Sequence, residues 1–210
     1  MKNKLIVTAA AVLGLAFAAE AQTITVGPRV GATFSEVNYS GDGADMLNDQ
    51  LKSKTGVQFG AVANVMVNDL FSVQPELLYV QKGVKVNFGG LSTELQSSYL
   101  ELPVLAKVSF GSEQIKGFVT AGPSVGYWLS GKIKQKYDGE SEEDDYDFTD
   151  DDNRTEIGAN FGVGAAYKVG TGYLNLDLRY GLGLSNLYND GEEKVKNRVL
   201  GVSLAYLFSL

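Results

Sequence analysis

Residues 173–187 read Tyr-Leu-Asn-Leu-Asp-Leu-Arg-Tyr-Gly-Leu-Gly-Leu-Ser-Asn-Leu, a stretch in which apolar and polar residues alternate. From Leu174 to Leu184 every even position is apolar, while the odd positions carry Asn, Asp, Arg and Gly. A period of two predicts a β-strand with one apolar and one polar face, so Asp177 and Arg179 lie on the same side. The apolar face needs a cover, which is a second sheet in a soluble sandwich and lipid in a transmembrane barrel.

The same alternation of apolar and polar residues recurs in seven other segments, so the sequence predicts eight strands. Most of these segments are longer than the mean globular strand of about five or six residues. They match the roughly 9 to 11 residues that a tilted strand needs to cross a bilayer. The predicted strands span residues 24–35, 55–67, 71–86, 98–108, 115–132, 156–168, 174–184 and 198–210.

The predicted connections alternate between short and long along the chain. Short turns on one side and long loops on the other are typical of an up-and-down barrel in an outer membrane, whereas a Greek-key sandwich has no reason to alternate. We therefore predict an all-β fold, an eight-stranded antiparallel up-and-down transmembrane β-barrel. The short connections are 68–69, 111–114 and 170–172, and the long ones are 36–54, 87–97, 133–155 and 186–195.

The first residues of the chain have the pattern of an export signal. Residues 1–4 are basic, residues 5–17 are apolar but too few to span a bilayer, and residues 19–21 form a small-x-small cleavage site. We expect a cleaved signal peptide at residues 1–21, one barrel domain at residues 22–210, and a location in the outer membrane.

The chain contains no cysteine and no histidine. Disulfides and a lipoprotein anchor are therefore excluded, as are histidine-based triads and ordinary histidine-ligated metal sites. No Gly-x-Gly pair opens a helix after a strand, and the basic residues form no stripe with aromatics, so neither phosphate-loop nor nucleic-acid binding is indicated. We expect no catalytic residues, no metal site and no cofactor.

Six charged residues fall on faces that an eight-stranded barrel turns inward, three of each sign. Because buried charges must pair or become neutral, we predict a charge-balanced network that plugs the lumen. Separate hydration of these charges in a wet lumen is the alternative. The expected network comprises Arg29, Glu76, Glu101, Asp177 and Arg179, with Lys107 on the same face.

Residues 138–152 contain ten carboxylates and no Lys or Arg. Removing the expected signal peptide changes the formal charge from −7 to −8, so this segment carries −10 and the rest of the mature chain +2. Blocks of like charge repel, so we expect a solvated loop, with weak binding of a divalent cation or of a basic partner as the functional alternative. The candidate cation ligands are Asp144, Asp145, Asp147, Asp150, Asp151 and Asp152.

Aromatic residues cluster near both ends of the predicted strands, and two such belts are typical of membrane interfaces. Packing in a soluble core is the alternative interpretation. The outer belt comprises Tyr39, Tyr79, Tyr99, Tyr127 and Tyr188, and the inner belt comprises Phe71, Phe110, Tyr167, Tyr173 and Phe208.

Several motifs together resemble the small outer-membrane β-barrel domain family common in Bacteroidota, often labelled porin-like. The resemblance implies a barrel fold and an outer-membrane location. It is carried by Gly31-Ala32-Thr33-Phe34-Ser35, Gln74-Pro75-Glu76-Leu77-Leu78-Tyr79, Tyr99-Leu100-Glu101-Leu102-Pro103, Ala121-Gly122-Pro123-Ser124 and Leu178-Arg179-Tyr180.

The end of the chain adds an expectation about partners. Tyr206-Leu207-Phe208 is similar to the aromatic-x-aromatic signal that the barrel-assembly machinery reads, although the chain finishes in Leu210 instead of an aromatic residue. We expect that machinery and outer-membrane lipid as partners, and the sequence indicates no ligand.

The expected function is non-enzymatic, with a plugged lumen and long extracellular loops serving an envelope-structural or surface-display role. A small passive porin is the first alternative. A lipid-modifying enzyme would lack the usual histidine base, and a soluble lipocalin-like carrier would need an apolar interior and a polar exterior.

Overall fold

The computed structural model describes residues 23–40, 51–88, 91–137, 140–188 and 194–209. The expected signal peptide, its cleavage before Gln22 and the terminal Leu210 lie outside these residues. Within the described ranges there is no helix long and apolar enough to cross a membrane.

Among the described residues, eight strands close into a ring, and a ninth pairs with the end of one of them. In the ring every neighbouring pair is antiparallel, in the order β1-β2-β3-β4-β5-β7-β8-β9 and back to β1. Strand β6 pairs with the last residues of β5. The strands are β1 (Ile24–Ser40), β2 (Leu51–Met66), β3 (Phe71–Phe88), β4 (Leu91–Gly111), β5 (Ile115–Tyr137), β6 (Glu140–Asp145), β7 (Thr155–Val169), β8 (Gly172–Gly183) and β9 (Lys194–Ser209).

The two ends of the barrel differ in their connections. At one end, here called the turn end, β2 and β3, β4 and β5, and β7 and β8 are joined by short turns. Gly111 and Gly170 adopt positive φ angles of 124° and 60° in two of these turns, a conformation that glycine reaches without a steric penalty. The opposite end is the loop end. The predicted antiparallel eight-strand ring is confirmed.

At the loop end the predicted limits of β1, β2, β4, β5 and β9 are wrong, because these strands continue four to seven residues beyond them. Strand β1 pairs with β9 up to Ser40 and Lys194, and β3 pairs with β4 up to Phe88 and Leu91. The predicted long connection 87–97 is therefore wrong, since β3 ends at Phe88 and β4 begins at Leu91, whereas residues 41–50 still separate β1 from β2. Backbone pairing persists here although polar residues occur on both faces, as at Asn87, Ser92 and Thr93, so the apolar alternation that marks a strand in the sequence fades out.

Side chains alternate between a buried polar interior and an exposed apolar exterior. On β8, Leu176 is 53% exposed and points outward, whereas its neighbour Asp177 is 1% exposed and points into the lumen. An apolar outer surface with a charged interior is the reverse of a lipocalin-like carrier, and that alternative is wrong.

The acidic segment is more ordered than the sequence predicts. Residues 140–145 form β6, which lies antiparallel to β5 with Lys132 opposite Asp145 and Lys134 opposite Glu143. Glu143 forms an ion pair with Lys132 at 2.6 Å. The expected repulsion between carboxylates is offset because the neighbouring strand is basic.

Candidate functional site

Four charged side chains meet in the middle of the lumen and form the central cluster, which comprises Arg29, Glu76, Asp177 and Arg179. Arg179 donates from Nη1 to Glu76 Oε2 at 2.7 Å and from Nη2 to Glu76 Oε1 at 3.0 Å. Arg29 donates from Nη1 to Asp177 Oδ1 at 3.1 Å and lies 3.5 Å from Glu76 Oε1. All four side chains are almost fully buried, so two positive and two negative charges neutralise one another across the lumen.

A second group lies nearer the loop end and comprises Lys82, Glu101, Glu156 and Asn197, here called the loop-end cluster. The Lys82 ammonium lies 3.1 Å from Glu101 Oε2 and donates a hydrogen bond to Glu156 Oε1. The Asn197 amide donates to the other oxygen of Glu156. These side chains come from β3, β4, β7 and β9, so the cluster links strands on opposite sides of the ring.

The six inward-facing charges, five of them in the predicted network, therefore do not form one group. The structure brings Arg29, Glu76, Asp177 and Arg179 together, places Glu101 against Lys82, and leaves Lys107 at the turn end. Lys107 lies 4.1 Å from the centre of the Phe118 ring and donates to Asn175 Oδ1 at 3.4 Å.

Three aromatic side chains form the aromatic cap above the loop-end cluster, namely Trp128, Tyr146 and Phe148. Trp128 is 1% exposed and stacks on Tyr146, with ring centroids 5.2 Å apart, while Phe148 meets it edge-on at 5.0 Å. On its other side Trp128 stacks on Tyr99 at 5.9 Å. The cap closes the lumen toward the loop end with apolar rings.

Tyr99 does not belong to the outer aromatic belt, and that prediction is wrong. The alternation that turns Leu100 outward turns Tyr99 inward, where it is 1% exposed. The Lys82 ammonium lies 4.6 Å from the centre of its ring, and the Asn197 amide donates to its hydroxyl at 3.4 Å. Tyr99 therefore joins the loop-end cluster to the aromatic cap.

The segment that carries Tyr146 and Phe148 is held by specific bonds. Asp152 Oδ1 accepts from the Tyr146 hydroxyl at 2.8 Å, and Asp152 Oδ2 accepts from the Thr149 amide at 2.7 Å. Burial and the bond to Asp152 raise the pKa of Tyr146, so its hydroxyl stays a donor at neutral pH. The Arg154 guanidinium lies 4.1 Å from the Phe148 ring and donates to the Trp128 carbonyl.

The lumen is filled closely because small residues face its large side chains. A Cβ atom at Gly164 would lie 2.3 Å from the Phe118 ring, and one at Gly162 would lie 2.6 Å from Thr120 Oγ1. A cavity of about 30 Å³ separates the central and loop-end clusters and is lined by both Arg179 and Lys82. That volume suits an ordered water or two and not a continuous channel.

The candidate cation ligands of the acidic segment do not converge. Asp144 and Asp145 lie on exposed β6, whereas Asp152 is buried beneath Tyr146 and already accepts hydrogen bonds from the protein. Across the described residues, no group of three Asp, Glu, His or Cys side chains is arranged to hold a metal ion. The remaining candidates, Asp147, Asp150 and Asp151, lie in the segment between β6 and β7.

Sequence reasoning missed Lys82 and Glu156, although the signal for both was present. On β3 the inward parity of Gln74 and Glu76 continues to Lys82, and Glu156 lies on the polar face of its strand. Tyr146 and Phe148 carried no such signal, because they are embedded in an acidic run outside the alternating segments.

Sequence comparison agrees with this architecture. The sequence model of the family described as outer membrane protein beta-barrel domain matches residues 20–189. The chain belongs to this family. The family assignment places the protein in the outer membrane and confirms the resemblance of its motifs to an outer-membrane β-barrel family. The comparison with curated proteins gives no match.

Solved structures of outer-membrane barrels are similar in fold. The attachment invasion locus protein Ail of Yersinia pestis is 16% identical, with 88% of this chain and 98% of that chain covered and a TM-score of 0.44. Neisserial surface protein A is 17% identical over 89% of this chain and 98% of that chain, with a TM-score of 0.46. The outer membrane protein AlkL is 17% identical over 92% and 95%, with a TM-score of 0.41.

Proposed function

We propose that this family member is a closed, non-enzymatic barrel that anchors and displays a protein surface at the loop end, and that its lumen does not conduct. The observation that carries the proposal is the filling of the lumen. The central cluster, the loop-end cluster and the aromatic cap follow one another along the barrel and cross-link its strands. Narrow barrels of eight strands hold little more than their own side chains.

The displayed surface consists of strands that project past the apolar exterior. Here Lys54, Lys85 and Glu94 join β2, β3 and β4 through ion pairs, and β6 extends β5. We place this loop end outside the cell and the turn end in the periplasm, since short turns and both chain ends lie on the periplasmic side in such barrels. We also propose that residues 1–21 are removed as a signal peptide and that the barrel-assembly machinery recognises the last strand.

Single-cysteine labelling tests the display, because the chain has no cysteine of its own. Glu142→Cys on exposed β6 should react with a membrane-impermeant maleimide on intact cells. Glu113→Cys is the matched control at the turn end, with a side chain that is 91% exposed, and should react only after the outer membrane is opened. Labelling of Glu113→Cys alone on intact cells would reverse the orientation.

Liposome swelling tests the closure against the alternative of a small passive porin. Liposomes that contain the refolded protein should swell in a small sugar no faster than empty liposomes. Swelling that depends on the amount of protein would establish the porin function instead.

A further inference from the structure

Lys107 is a buried lysine of the lumen that belongs to neither the central cluster nor the loop-end cluster. It is 6% exposed near the turn end of β4, and its ammonium contacts the Phe118 ring and the oxygen of Asn175. Within the described parts of the chain, no carboxylate lies within ion-pair distance of it. An amide oxygen at 3.4 Å and one aromatic face compensate only part of the lost hydration of an ammonium group.

The charges of the lumen are separated along the barrel axis. The central cluster is balanced, whereas the loop-end cluster has two carboxylates for one lysine. Lys107 therefore leaves a local positive charge at the turn end, opposite the negative surplus. None of the described carboxylates lies close enough to Lys107 to cancel this charge. The buried ammonium group therefore favours binding of an anion from solution.

A cavity adjoins Lys107 and opens toward the turn end. Its volume is about 60 Å³, and its polar lining includes Lys107, Lys116, Asn64, Ser72 and Asn175, beside apolar residues such as Phe71 and Leu207. The Ser72 hydroxyl donates to Asn64 Oδ1 at 2.8 Å, which leaves the Asn64 amide nitrogen as a donor for a bound oxygen. One acidic residue, the exposed Asp69 on the β2–β3 turn, also lies on the lining.

We propose that this cavity binds a small oxyanion of the phosphate class, held by the Lys107 ammonium with Lys116 and Asn64 at its rim. The cavity has room for one compact anion, and its donors suit tetrahedral oxygens. The site lies inside the ring of strands, so its ligand comes from the aqueous phase at the turn end and not from lipid. It is independent of whether the lumen conducts.

The test is a titration of the refolded protein with inorganic phosphate, followed by phosphorus NMR line broadening in a detergent without phosphate. Wild type should broaden the signal saturably. Lys107→Met should weaken binding by about tenfold or more, which corresponds to roughly 1.4 kcal/mol. Lys107→Arg keeps the charge and should retain most of the binding. The matched control is Lys168→Met, which removes an exposed turn-end lysine that pairs with Glu113 at 3.7 Å.

Several results would overturn this site. Wild type that leaves the phosphate line unchanged would show that this cavity binds no phosphate. Equal binding by wild type and a Lys107→Met protein that keeps the heat-dependent gel shift of a closed barrel would place the anion elsewhere. If Lys107→Met does not fold, loss of binding by Lys107→Arg with the gel shift intact would contradict the proposal. Repeating the titration in nanodiscs with anionic lipid should not change the affinity, and competition by that lipid would contradict a soluble ligand.

Discussion

Two parallel hydrogen bonds join Arg179 to Glu76 in the middle of the lumen. Both side chains are buried, and Glu76 also accepts a hydrogen bond from Gln74 at 2.6 Å. A buried ion pair is not by itself a large source of stability, because both ions lose their hydration. Removing one partner is costly, however, since the other is left as an uncompensated buried charge.

Arg179→Ala should therefore lower the free energy of unfolding by about 3 to 5 kcal/mol. The measurement is a urea titration of the barrel in lipid vesicles. Lys168→Ala removes an exposed ion pair and should change the same free energy by only about 0 to 1 kcal/mol. An Arg179→Ala barrel that unfolds at the wild-type urea concentration would show that water hydrates these charges separately.

Leu176 offers a test of the outer face. It is exposed near the middle of β8 and lies beside Leu204 of β9. Leu176→Arg should cost roughly 2 to 4 kcal/mol in lipid because the charge enters the hydrocarbon, whereas Leu176→Phe should be close to neutral. Folding titrations in vesicles compare the two variants. Equal stability of both would mean that this position does not face the bilayer.

For single residues, the sequence predicts the side of the sheet that a side chain occupies better than it predicts the side chains that it contacts. Parity alone placed Asp177 and Arg179 inward and Leu176 outward, because the side-chain period of a strand is fixed at two. Partners depend on strand tilt and on side-chain reach across the lumen. That is why Glu101 meets Lys82 in the structure instead of an arginine.

Strand β6 shows how an element can depend on its neighbour. Its carboxylates, read alone, predict a loop, and only pairing with the lysines of β5 makes an extended strand favourable. A proline inside a paired strand removes a backbone donor, yet the prolines of β3 and β4 do not lie at the irregular pairings. Strand registers stay constant on either side of Pro75 and Pro103, and the register shifts lie between Ser53 and Gln58 and between Ser98 and Tyr99.

The ion pairs of Glu94 should make the projecting strands sensitive to acid. Hydrogen bonds from Lys54 and then Lys85 lower the pKa of Glu94 from 4.5 to about 2. A carboxyl whose pKa is lowered by folding stabilises the fold above its unfolded pKa and loses that contribution as the pH falls toward the folded value. Pairing of β3 with β4 near Lys85 and Glu94 should thus loosen between pH 4.5 and about 2.

Hydrogen exchange of the amides around Lys85, corrected for the intrinsic rate, reports this loosening. Glu94→Gln should abolish the acid dependence in that pH range. The same acid response in Glu94→Gln would assign it to other carboxylates.

The aromatic cap should control the environment of Trp128, which is the only tryptophan of the chain. Its emission should be blue-shifted and poorly quenched by acrylamide, since the ring is buried between Tyr99 and Tyr146. Replacing Tyr146 and Phe148 by alanine should increase quenching and shift the emission to the red. Tyr137→Ala, an exposed aromatic on the same side, should leave both unchanged. An unaltered spectrum in the double variant would show that the cap does not cover the lumen.

For the molecule as a whole, the apolar exterior and polar interior could be predicted from sequence because the alternation recurs on the strands of the ring. The alternation predicts which side chains face the lumen and which face lipid. The short turns between long strands predict the antiparallel meander. Closure of the lumen could only be hypothesised, since it depends on contacts among β1, β3, β4, β7 and β8 that are far apart in the chain. Sequence spacing carries no information on such contacts.

Planar-bilayer recording of the wild-type barrel tests the closed lumen most directly. The layers formed by the aromatic cap, the loop-end cluster and the central cluster predict no steady conductance above that of the bare membrane. The refolded protein must show the heat-dependent gel shift of a closed barrel, so that silence is not mistaken for failed insertion. A steady channel of large conductance from such a sample would contradict the closed lumen.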